Sequence, residues 1–215
     1  MSESTSRAES AERGRGERAK RVRMTPAQRR ETILTAATGV FAETGYQRTR
    51  VSAIAARVGV SEPVVFQNFG SKAALYRAVV DRAVSGVCET LTEAVEAGRP
   101  VTDLLAGFLE PGHMERFHAR GSLGFLFADA FTLTAEPELR EAVHAAHRRF
   151  ADTFAELVRH GQRAGDLRQD LDPQVAAWWL LSLLHARTFR AAVMPEEAGL
   201  EGQLVAMTLD TLTRR

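Results

Sequence analysis

From Thr25 onward, apolar positions recur at helical spacing. Ile33, Leu34, Ala37, Val40 and Phe41 fall at i, i+1, i+4, i+7 and i+8 and form one stripe of an amphipathic helix. Thr25-Pro26 supplies an N-cap followed by proline at the first helical position, and Gly45 marks the expected end. A shorter stripe of Ile54, Ala55 and Val58 predicts a helix over 51–58, closed by Gly59. Ser61 is the expected cap of the next helix, which carries Pro63 in its first turn and ends near Asn68. Gly70 then breaks the chain, and Ser71 opens a long helix to about Ala97, roughly 40 Å at 1.5 Å per residue. The same period continues over 101–110, 113–120, 122–134, 137–163, 173–194 and 200–212, with proline or glycine at nearly every junction. Period-2 alternation persists nowhere, so the expected fold class is all-α.

Two short helices joined by a glycine turn form a helix-turn-helix. Ala55 is small where the two helices would cross, and Gly59 supplies the positive φ of the turn. Ile54, Val60, Val65 and Phe69 are then expected to face the core. Glu62, Pro63, Val64, Phe66, Gln67 and Asn68 are left pointing outward.

Charge sharpens this division. The 215 residues carry a net +1, but Met1 to Arg82 hold 15 Lys and Arg against 8 Asp and Glu, a net +7, and the remainder a net −6. A basic amino-terminal third on an acidic remainder fits a nucleic-acid-binding head on a non-binding body, or a solvated basic surface. Residues 1–23 hold seven Lys and Arg and almost nothing apolar, so they read as a disordered basic arm, either reaching DNA or simply solvated. The expected division is therefore an arm over 1–23, a helix-turn-helix domain over 24–70 and a helical body over 71–215. Cys88 is the single cysteine, which excludes an intrachain disulfide and a cysteine-based zinc framework. The start of the chain lacks the apolar run of a signal peptide, and no apolar run approaches ~20 residues, so the expectation is a cytoplasmic protein outside the membrane.

The run from Arg29 to Val80 resembles the amino-terminal domain of the tetracycline-repressor (TetR) family of bacterial transcriptional regulators. The resemblance rests on Phe41, Gly45-Tyr46, Thr49, Ile54-Ala55, Gly59-Val60-Ser61, an aromatic at Phe66, Phe69, Ser71-Lys72 and Leu75 in register. It implies a sequence-specific DNA-binding regulator, a repressor released from an inverted-repeat operator by a hydrophobic small molecule. It also implies a helical body that dimerises through its last two helices. Phe66 stands where the family usually has tyrosine and Val64 where it often has threonine or serine, so two hydroxyls that would donate to DNA are missing.

A helix in the major groove needs side chains that match base edges, and Gln67 can bond adenine N6 and N7 bidentately. Val64 and Pro63 offer apolar surface, Asn68 a phosphate or base contact, and Glu62 a possible acceptor for cytosine N4. Thr49, Arg50 and Lys72, at helix starts, are expected to hold phosphates. In the body, Phe108, Phe125, Phe127, Phe154 and Trp178 are candidates to line an effector pocket, with His118, Asp129 and His147 as polar contacts. Trp179, Leu183, Leu204 and Leu209 are the expected dimer contacts. Glu141, His144 and His147 share a helix face, but spacing fixes no further ligand, so neither metal nor cofactor is assigned. A phosphate loop, HExxH, GxSxG and a dinucleotide fingerprint are all missing, so catalysis has no anchor. A helical interaction protein would explain the helices but neither the charge asymmetry nor the register of the head.

Overall fold

The computed structural model describes residues 24–110, 112–113, 136–194 and 198–213, and the described residues form helices and connections without strands. The chain divides into two units between Thr32 and Ile33; of the first only the local structure at the start of the first helix is described, and the packing below is that of the second. In chain order the helices are α1 (Pro26–Arg48), α2 (Val51–Val58), α3 (Glu62–Phe69), α4 (Lys72–Glu96), α5 (Val101–Leu109), α6 (Pro137–Ala164), α7 (Pro173–Val193) and α8 (Ala198–Thr213). The expected arm over 1–23 and the expected helices over 113–120 and 122–134, His113 apart, lie outside the described residues.

Local chemistry sets most boundaries. At the start of α1 the Gln28 amide donates to Thr25 Oγ1 at 3.2 Å and the Thr25 amide to Gln28 Oε1 at 2.9 Å, a reciprocal capping box. Helix α1 does not stop at Gly45 as expected: it continues to Arg48 across a break in which Gly45 adopts φ 71° and ψ 163°. That conformation is essentially closed to residues with a Cβ, so glycine permits the chain to turn within the helix. Gly59 closes α2 in the left-handed region at φ 75°, and its amide donates to Ala56 O. Ser61 occupies the N-cap of α3 in extended backbone, but its side chain makes no capping hydrogen bond; Ser71 does cap α4, accepting from the Ala74 amide at 3.0 Å.

One continuous cluster of buried side chains runs from Ile33 and Phe41 through Ile54, Val65 and Tyr76 to Phe154, Leu181 and Leu212. Helix α6 is its axis, packing along α4 on one flank and α7 on another, while α8 packs on α5. Phe41, Tyr46 and Tyr76 join α1 to α4 through edge contacts, with centroids 5.1 Å apart for Phe41–Tyr76 and for Tyr46–Tyr76. Such geometry sets the positive ring edges against negative faces. No described helix is long and apolar enough to cross a membrane.

Candidate recognition helix and effector cavities

Helix α3 is anchored from behind and bare in front. Val65 and Phe69, four apart, are 1% and 8% exposed, and Ile54 of α2 is fully buried. The i, i+4 pair fixes one stripe inward, which turns Glu62, Pro63, Phe66 and Gln67 to solvent and leaves Val64 and Asn68 half-buried. Phe66, at 41% exposed, has no hydroxyl to justify that position in water. Asn68 uses its amide locally, donating from Nδ2 to Val64 O at 2.7 Å.

Two expected phosphate ligands sit differently from the expectation. Thr49 is 4% exposed, and its hydroxyl lies 2.8 Å from Gly45 O and 2.6 Å from Thr44 Oγ1, so it holds the broken end of α1 together. Lys72 leans back rather than out: its Nζ lies 4.4 Å from the Tyr46 ring centroid and donates to Gln47 O at 3.4 Å. Burial holds its pKa below the ordinary lysine value, against the opposing pull of Glu136. Arg50, exposed at the N-cap of α2, keeps a position from which a guanidinium can meet a phosphate.

Sequence reasoning missed the contacts that tie this region to the body helices. The Tyr46 hydroxyl donates to Glu136 Oε2 at 3.0 Å, across 90 residues of chain, and Glu136 is the N-cap residue of α6. Burial first, and then the bond to the Glu136 carboxylate, push the Tyr46 pKa far above the usual tyrosine range. A second tie runs from Arg82 on α4, which donates to Thr38 Oγ1 at 2.7 Å and Thr35 Oγ1 at 3.2 Å on α1. Position in the sequence gave no sign of either partner.

The proposed effector residues divide. Phe108 and His113 line a cavity of about 690 Å³ between α4 and α5, with Leu91, Leu104, Arg82 and Arg99 among its other walls. Phe154, 1% exposed, stands behind Phe108 at 5.2 Å as a T-shaped partner. His147 and Trp178 line a different cavity, of about 510 Å³, between α6 and α7. His118, Phe125, Phe127 and Asp129 lie outside the described residues. Of the expected dimer contacts, Trp179, Leu183 and Leu209 are half-buried against the core and Leu204 is half-buried too. The outward face of α7 instead carries Val175 (68% exposed), Trp178 (47%), Phe189 (68%) and Val193 (60%).

A helix-turn-helix with an exposed α3 face, joined through one continuous core to further helices with apolar cavities, is the arrangement of a DNA-binding regulator. Residues 33–79 match the model for bacterial regulatory proteins of the tetR family, and residues 131–207 match the tetracyclin repressor-like C-terminal domain. The chain belongs to the TetR family. It is 31% identical over 135 residues, 61% of its length, to the HTH-type transcriptional activator FasR of Mycolicibacterium smegmatis. It is 24% identical over 176 residues, 82% of its length, to the A-factor receptor protein of Streptomyces griseus. The matches span 59% of each of these two relatives. The solved complex of SmeT, a Stenotrophomonas maltophilia repressor, with triclosan superposes with a TM-score of 0.69 at 26% identity, over 86% of this chain and 92% of SmeT.

Proposed function

We propose that the chain is a cytoplasmic, homodimeric, sequence-specific transcriptional repressor whose hold on an inverted-repeat operator is released by an apolar small molecule. The observation that carries this is the outward row of α3, where Gln67 and its neighbours are exposed on a helix locked from behind by Val65 and Phe69. In this reading residues 24–70 form the DNA-binding head and 71–215 the effector-binding and dimerisation body. Gln67 reads a base edge, and Glu62, Pro63, Val64, Phe66 and Asn68 complete the surface in the groove. Arg50 and the open N-terminal amides of α2 meet phosphates.

The 690 Å³ cavity is the effector site of this reading. Its mostly apolar lining suits a hydrophobic ligand, and SmeT, of the same architecture, is seen with triclosan. Arg82 and Thr38 line that cavity and also form the α4–α1 tie. A ligand that takes up the guanidinium therefore acts on the head directly, and its coupling to DNA is reciprocal. FasR is an activator and SmeT a repressor, so family membership leaves the sign of regulation to experiment. Selection of bound sites from a random DNA pool, followed by a reporter carrying the selected site upstream or across a promoter, tests the reading. The expected result is a two-fold symmetric consensus and lower expression with the protein present. Absence of any enriched site rejects DNA recognition, and raised expression reverses the sign.

A further inference from the structure

The 510 Å³ cavity between α6 and α7 holds a histidine pair that the regulatory reading does not use. His147 of α6 and His185 of α7 approach with their Nε2 atoms 2.9 Å apart and ring centroids 4.9 Å apart. The other nitrogen of each ring is committed to its own helix: His147 Nδ1 lies 2.7 Å from Val143 O, and His185 Nδ1 lies 2.7 Å from Leu181 O. A carbonyl only accepts, so both Nδ1 atoms carry hydrogen, and in the neutral rings both Nε2 atoms present lone pairs. Two lone pairs at that distance repel unless an electrophile lies between them. A proton is one such electrophile. A divalent metal ion is another.

We propose that His147 and His185 form a two-histidine site for a borderline divalent cation of the Zn²⁺ or Ni²⁺ class, bound through the two Nε2 atoms. Imidazole nitrogen suits these ions, and Nδ1–H donation to a backbone carbonyl is the arrangement that fixes the tautomer and orientation of a metal-bound histidine. With Zn–N bonds of about 2.0–2.1 Å, tetrahedral geometry sets two nitrogens about 3.3 Å apart, so the rings need to part by only about 0.4 Å. Small rotations of two side chains accommodate that. Among the described residues no three such side chains already converge, so the proposal rests on the two Nε2 atoms alone. Glu141 and His144, which share a helix with His147, are not required; the decisive partner lies 38 residues further on.

The test uses the full chain, stripped with a chelator, dialysed and titrated with zinc alone by calorimetry at neutral pH. The expected result is binding to the unmodified chain with a rise in melting temperature, weakened at least about tenfold in both His147→Gln and His185→Gln. His160→Gln, placed at a separate cavity beside Glu156, is expected to bind as the unmodified chain does. Nitrogen-detected imidazole spectra of the unmodified chain give the same answer without substitution, since both Nε2 signals should move on zinc addition. No binding to the unmodified chain, unmoved Nε2 signals, or undiminished binding in both glutamine variants overturns the proposal.

Discussion

At the scale of single residues, Gly45 carries a conformation that no side chain in its surroundings demands. A Cβ there would touch nothing within 4 Å, so the obstacle to alanine is the backbone alone. Gly45→Ala is expected to destabilise the fold by about 1–3 kcal/mol in urea melts, the usual cost of a strained φ/ψ. Gln67 is the opposite case, since its side chain is exposed and the fold asks nothing of it. Gln67→Ala should leave the melting temperature unchanged while relaxing preference at one base pair in each half-site, at a cost of about 1–3 kcal/mol to the cognate sequence. Equal weakening of every single-base variant would remove Gln67 from the reading surface. The special backbone at Gly45 and the exposure of Gln67 were legible in the sequence because their signals are local, a glycine after an apolar stripe and an amide on the polar side of a short helix, although α1 runs on past Gly45 rather than ending there. Thr49 and Lys72 were only half legible. Their places at helix starts were right, but the sequence does not show that Thr49 turns in toward Gly45 O and Lys72 toward the Tyr46 ring.

At the scale of elements, α2, the turn and α3 were readable because caps, glycines and stripe spacing are all properties of short windows. Pairings between distant helices were not. The Tyr46–Glu136 bond spans 90 residues and the histidine pair 38, and no periodicity ranks one such partner above another. Another such link joins α7 to α8: Arg190 donates to Glu201 through Nε at 2.6 Å and through its terminal nitrogen at 3.0 Å, and Arg187 lies 3.2 Å from the same carboxylate. Hydrogen bonding to Arg190 holds the Glu201 pKa below its ordinary value, outweighing the opposite effect of burial. A carboxylate depressed in the folded state adds stability above its unfolded pKa, and that stability is lost as pH falls through the folded value. Glu201→Gln should therefore cost about 1–3 kcal/mol near neutrality. The gap between the two unfolding curves should close as the solution is taken below the carboxylate range. A gap constant across that range would remove the ionic link from the account of how α8 is held.

At the scale of the whole molecule, the uncovered apolar row of α7 is the feature a single chain leaves unfinished. Four large apolar side chains on one helix face favour a symmetric partner, because a two-fold axis lets the same patch cover itself. Phe189→Asp is expected to shift the protein from dimer to monomer in sedimentation runs and to weaken operator binding, since one head then meets one half-site. A monomeric unmodified chain at micromolar concentration would reject the interface. The lone sulfur of Cys88, 6% exposed on α4, is the chain's single thiol. It therefore serves as a built-in clock: a coloured disulfide reagent can react only when the helix around Cys88 lifts away, and no second thiol blurs the trace. The labelling rate then measures how often α4 opens, and comparing it with and without operator or ligand reads the regulator's internal motion from the unaltered protein.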